Sequence, residues 1–167
     1  MTQSPRPAGT VVLGVLFLAQ GFLILWASMG GLAVVALGDL PWTMRFIELR
    51  MDGLLTIATG VGMFSRWRWP WWTGLALCSY AVARNLLLFS PLGLFPMLFE
   101  WEAWTWDAGL LPHLLIVIPS HLLAGWYLAR PKPRRHFGCS ETLVRRPLLL
   151  GATFALLFHL HFLFRTP

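Results

Sequence analysis

The chain has 167 residues, 57% of them hydrophobic and 12% charged, and its 13 Lys and Arg against 7 Asp and Glu give a formal net charge of +6. A soluble domain carries about 25% charged residues, and a soluble chain this short has no interior able to hide so much apolar surface. An ordinary water-soluble domain is therefore excluded, and the basic residues, clustered in short segments between apolar runs, do not argue for a nucleic-acid partner.

Crossing the hydrocarbon core of a bilayer takes about 20 apolar residues at 1.5 Å each. The first such run covers 10–37 and is long enough to tilt or to extend past the lipid. The AQG at 19–21 resembles a signal-peptide cleavage site, but the preceding stretch holds one arginine and the apolar run continues to residue 37. A signal-peptide core is roughly 7–15 residues, so an uncleaved first helix is expected. The second run, 51–64, is short, with an amphipathic turn near Phe46 as a possible earlier start. The third, fourth and fifth cover about 71–89, 108–129 and 147–164. In lipid the backbone must satisfy itself within helices or a closed barrel. These runs lack the alternation of barrel strands, so the predicted fold is all-α: a polytopic transmembrane helical bundle of about five helices, with 1–167 forming one membrane domain.

Charge sets the orientation. With a cytoplasmic N-terminus, nine basic residues fall inside (Arg6, Arg66, Arg68, Arg130, Lys132, Arg134, Arg135, Arg145 and Arg146) and three outside (Arg45, Arg50 and Arg165). That asymmetry obeys the positive-inside rule, so the N-terminus is expected inside and the C-terminus outside, in a bacterial cytoplasmic membrane. SRWRWPWW at 65–72 is a tight cytoplasmic hairpin whose tryptophans suit the headgroup layer. Alternating Arg and Trp also stack bases, but the flanking membrane segments favour interfacial anchoring. The outer segment 90–107 is too apolar for a free loop and is expected along the membrane surface or against a partner. The basic stretch RPKPRRHFGCSETLVRR, 130–146, is a topology determinant able to hold anionic lipid headgroups, at about 1 kcal/mol per basic residue near the surface.

Three of these stretches carry a likeness. RPAGTVVLGVLFLAQGFLIL, DGLLTIATGVGMFSRWRWPWW and GWYLARPKPRRHFG share an Arg-Pro start to helix one, a Trp-rich hairpin after helix two and a Tyr-Leu-x-Arg-Pro exit from helix four. Over about residues 6–138 the chain loosely resembles small bacterial four-helix integral membrane proteins of unknown function. The resemblance implies architecture and no catalytic residues, and the fifth segment departs from it as an added helix.

No HExxH, GxSxG or phosphate-binding Gly-rich loop is present, and no carboxylates cluster within the apolar runs. Ser120 and His121 are adjacent, and helix neighbours do not face one another. Cys78 and Cys139 lack CxxC spacing, so neither a redox or metal motif nor a structural disulfide is expected. What remains are ionisable groups inside apolar helices, which are costly and hence functional candidates. His113, His159 and Arg84 lie at similar depth, roughly 8 Å below the outer boundary, and His121 about 20 Å below it. Asp52 starts the second run, within reach of Arg84.

At about 100° per residue His159 shares an arc with Ala152 and Ala155, whose small size lets a neighbouring helix approach. His161 falls about 200° away, among Leu150, Phe154 and Leu157. His113 shares an arc with Gly109, Ser120 and Ala124, and Arg84 with Thr73 and Tyr80. The simplest account pairs these groups with one another, Arg84 with Asp52 and the histidines across helices. A cofactor account has His113 and His159 ligate a haem b iron, or one of them a chlorophyll-type magnesium, with Arg84 and Asp52 as polar neighbours. A quinone or small-molecule pocket is a further alternative.

The leading functional expectation is a non-enzymatic membrane subunit that packs with other integral membrane subunits, in an energy-transducing assembly or another. The alternatives are a haem- or pigment-binding electron-transfer or anchor subunit, and a small transporter or channel, which would lack midplane acids and a paired broken-helix repeat.

Overall fold

The computed structural model describes residues 7–29, 42–88, 110–139 and 141–163, with side chains described for 7–26, 51–87, 116–139 and 141–161. These residues form an all-α bundle of six helices with no strand: α1 (Ala8–Met29), α2 (Trp42–Gly62), α3 (Trp69–Leu88), α4 (Leu110–Ala129), α5 (Pro131–His136) and α6 (Arg145–Leu163). One stretch, Ala8–Trp26 of α1, is long and apolar enough to cross a membrane. Only 22% of that span is buried, which separates it from the core helix of a soluble protein. The remainder of the first predicted run, 30–37, and the outer segment 90–107 lie outside the described residues.

Two compact units make up the chain, Met1–Gly74 with Pro131–Ser140, and Leu75–Arg130 with Glu141–Pro167. In the first, α1 and α2 pack against one another through glycines. A Cβ on Gly60 would stand 2.9 Å from the Gly14 carbonyl oxygen and from Leu18 N, and one on Gly21 would stand 2.8 Å from the Gly53 carbonyl oxygen. The pairs Gly14/Gly21 and Gly53/Gly60 are each spaced by seven residues, two helical turns, so they recur on one face. Gly14 also faces Met63 and Gly53 faces Leu25, which makes the helices antiparallel. Backbone contact of this kind is how helices associate where no hydrophobic driving force separates them from their solvent.

α2 begins nine residues before the predicted 51–64 segment. Hydropathy misses the start because Arg45, Glu48, Arg50 and Asp52 interrupt it, whereas Arg, Glu and Met are good helix formers. Its 21 residues reach roughly 30 Å. The helix ends in a tightened turn: Phe64 N–H donates to Val61 O (3.1 Å) and Ser65 N–H to Gly62 O (2.8 Å). The Ser65 hydroxyl donates to the same Gly62 carbonyl (2.7 Å) and accepts from Trp67 N–H (3.1 Å). α3 then starts at Trp69–Pro70, two residues before the predicted position, because a proline in the first turn forfeits no helical hydrogen bond.

The predicted basic loop at 130–146 contains a helix that hydropathy did not reveal. Pro131 stops α4 and opens α5. α5 closes with Gly138 N–H donating to Arg135 O (3.1 Å) and Cys139 N–H to Arg134 O (2.8 Å), Gly138 holding a left-handed φ of 64°. This is a Schellman closure, and glycine supplies the backbone conformation it requires.

In the second unit α3 contacts both α4 and α6. A Cβ on Gly125 would lie 3.5 Å from Cys78 Cβ, and one on Gly151 would collide with the Ala76 carbonyl. The Ser79 hydroxyl donates to the Leu148 carbonyl at 2.6 Å, tying α3 to α6. Pro147, Gly151 and Ala155 recur every four residues as the buried stripe of α6.

Candidate functional site

The α6 stripe leads directly to His159, one further step of four along the helix. Ala155 is 1% exposed and Ala152 half-buried, and the His159 ring is half-buried with Nε2 sealed from solvent. That nitrogen has no hydrogen-bond partner among the described residues. His161 is exposed on the other face with Leu150, Phe154 and Leu157, which are also exposed. The two histidines therefore serve different surroundings. The polar partner expected for His159 is not found among the described residues, and the side chain of His113, its predicted companion, lies outside them.

Arg84 is half-buried on α3 with its guanidinium carbon 6.0 Å from the Tyr80 ring centre, at the outer edge of a cation–π contact. Asp52 is half-buried on α2. Arg84 and Asp52 are each engaged by a partner. His121, 7% exposed on α4, donates from Nδ1–H to the Val117 carbonyl at 2.7 Å. A carbonyl only accepts, so this contact fixes the proton on Nδ1 in the neutral ring. Ser120 Oγ donates to the same carbonyl at 2.9 Å and lies 3.5 Å from His121 Nδ1, so the two side chains share a backbone acceptor and form no nucleophile–base pair. Pro119, two residues earlier, deprives the Leu115 carbonyl of its helical donor.

Hydropathy reasoning passed over the buried Asn85 and the buried threonines. Asn85, 6% exposed, spends one amide N–H on the Ala81 carbonyl at 2.7 Å. Thr10, Thr56 and Thr59 are buried in the first unit, and Thr59 donates to Thr73 Oγ1 at 2.9 Å. An amide or hydroxyl in an apolar helix was the available signal, since such groups hydrogen-bond locally or across helices. Among the described residues no group of three His, Cys, Asp or Glu converges to hold a metal.

The basic segments have a geometry of their own, within the first unit. A Cβ on Gly138 would lie 3.6 Å from Arg68 Nε, so the hairpin arginine reaches the turn that closes α5. Arg68, Lys132 and Arg135 are exposed, as are Trp67 and Trp69, whose rings lie 6.5 Å apart at 40°. In the second unit the Arg130 guanidinium stacks 3.6 Å above the exposed Trp126 ring.

Fold and side chains together define a class, an all-α bundle with one helix long and apolar enough to cross a membrane. No protein-family model matches the chain, and no curated protein or solved structure matches it.

Proposed function

We propose that the chain is a multi-pass protein of a bacterial cytoplasmic membrane, crossing it five times with the N-terminus inside, and serving as a non-enzymatic subunit that packs with other integral membrane subunits. The observation that carries this reading is the apolar surface left uncovered on four long helices. Phe22 and Leu23 on α1, Leu54 on α2, Leu123 on α4 and Phe154 and Leu157 on α6 are all exposed. A soluble monomer seldom shows contiguous apolar patches of more than a few hundred Å², whereas hydrocarbon accepts them without cost. The glycine-mediated approach of α1 and α2 and the Ser79–Leu148 bond support the same setting. So does the meeting of Arg68 with the turn at Gly138, because two helices, α3 and α4, separate those segments and five spans place both on one side. The resemblance to four-helix bacterial membrane proteins agrees with this architecture, α6 being the addition.

The exposed Phe154 and Leu157 face of α6 is the docking face for a partner subunit in this reading. Purification of the native protein in mild detergent after crosslinking in its own membranes is expected to recover a membrane partner at constant ratio. A strictly monomeric preparation with nothing crosslinked overturns the subunit assignment.

A second reading is favoured by one observation, the sealed and unpartnered Nε2 of His159. Buried polar atoms are nearly always satisfied, and this nitrogen offers a lone pair suited to a haem iron or a chlorophyll-type magnesium. A visible spectrum of the native protein decides it: a Soret or pigment band that His159→Ala abolishes supports a cofactor, and a spectrum with neither band removes one.

A further inference from the structure

Residues 65–74 and 131–139 contain Arg66, Arg68, Lys132, Arg134, Arg135 and His136 and not one Asp or Glu. Both segments belong to the same compact unit, and the contact of Arg68 with Gly138 joins them although residues 75–130 separate them in sequence. The acids on α2, Glu48 and Asp52, precede Gly62 by ten residues or more, roughly 15 Å or more along the helix. Positive charges held close together repel, and a bound anion relieves that repulsion. Arg68, Lys132 and Arg135 present their charge to solvent, and a guanidinium fork matches two oxygens of a phosphate. Beside them the exposed Trp67 and Trp69 offer rings of the kind that settle at the level of lipid headgroups.

We infer that the hairpin and α5 together form one recognition site for the phosphodiester of an anionic phospholipid, Arg68, Lys132 and Arg135 holding the phosphate and Trp67 and Trp69 flanking it at the headgroup level. The inference rests on the membrane reading above and sharpens it. The lipid is gripped by two segments that only the fold unites, and Arg145 and Arg146, in the second unit, are not part of the site.

The test uses the full chain in mild detergent, titrated with dihexanoyl phosphatidylglycerol, with the zwitterionic dihexanoyl phosphatidylcholine and with inorganic phosphate. Bound lipid is counted by native mass spectrometry. Phosphatidylglycerol is expected to bind in preference to phosphatidylcholine, and the preference to fall about fivefold per charge removed, hence roughly twenty-five-fold in Arg68→Gln/Lys132→Gln. Arg145→Gln/Arg146→Gln is expected to keep it, with helicity by circular dichroism unchanged in both variants. Equal uptake of the two lipids, or a preference surviving Arg68→Gln/Lys132→Gln, overturns the site. Displacement of phosphatidylglycerol by equimolar inorganic phosphate overturns the lipid assignment in favour of a free anion. Carbonate washing of membranes separates the two levels: a chain that stays in the pellet but shows no lipid preference fails here alone, and one released into the wash fails the membrane reading itself.

Discussion

Gly138 and His159 are among the described residues held in conditions their chemistry does not favour unaided. Gly138 sits at a φ of 64°, where a Cβ crowds the following carbonyl oxygen. Gly138→Ala is therefore expected to cost about 1–2 kcal/mol, read as a lower melting temperature with the long helices intact. The second is His159, whose Nε2 is dry and unpartnered among the described residues. If it serves no ligand, His159→Phe removes an unsatisfied polar atom and keeps an aromatic ring, so the melting temperature is expected to hold or rise. A marked fall, together with lost visible absorbance, belongs to the cofactor reading. The sequence made the divergence of His159 and His161 legible, because helical phase needs only the spacing between them. It could not show that Nε2 lacks a partner, since that depends on what neighbouring helices present. His121 is similar: its place on an apolar helix follows from the sequence, while its bond to Val117 requires the ring's actual turn toward the i−4 carbonyl.

At the scale of helices, the glycine contacts decide which pairs approach most closely. A leucine at residue 60 would push into the Gly14 carbonyl and Leu18, backbone atoms that cannot step aside as a side-chain tip can. Gly60→Leu is expected to destabilise the α1–α2 pair by about 1–3 kcal/mol or to part it, whereas leucine for the exposed Val61 is expected to leave it intact. Crosslinking between cysteines introduced at Leu18 and Gly60's neighbour Thr59 reads the separation. Ser79→Ala removes a side chain to backbone bond between α3 and α6 and leaves the Leu148 carbonyl with its helical partner alone. A loss of about 1 kcal/mol is expected in a thermal melt, with no change in lipid or partner binding. The existence of the long helices was visible in hydropathy, because apolar runs of that length have few alternatives. Their margins were less so. α2 starts in charged sequence and α5 is six residues of Pro, Lys, Arg and His, so both depend on helix propensity and capping rather than on apolar pattern.

For the whole molecule, the topology proposed from the positive-inside count and the apolar exteriors can be tested residue by residue. Both native cysteines, Cys78 and Cys139, are buried, so a membrane-impermeant maleimide has little to label in the unmodified chain. Trp67→Cys and Lys132→Cys would place single thiols at exposed positions of the two basic segments. With five spans and a cytoplasmic N-terminus both thiols face the cytoplasm, because exactly two crossings, α3 and α4, separate them. They are expected to resist labelling in intact cells and to react once the membrane is permeabilised. A cysteine appended after Pro167 is expected to do the reverse and react in intact cells. Labelling of Lys132→Cys from outside while Trp67→Cys stays protected would mean an odd number of crossings between them and would break the α3–α4 pair as a double span. Protection of the appended cysteine alone would instead remove α6 as a span and leave a four-helix protein, its apolar Phe154 and Leu157 face then needing cover other than lipid. The labelling pattern thus tests the α3–α4 pair and α6 separately, and α6 is the one on which both the partner surface and the His159 question depend.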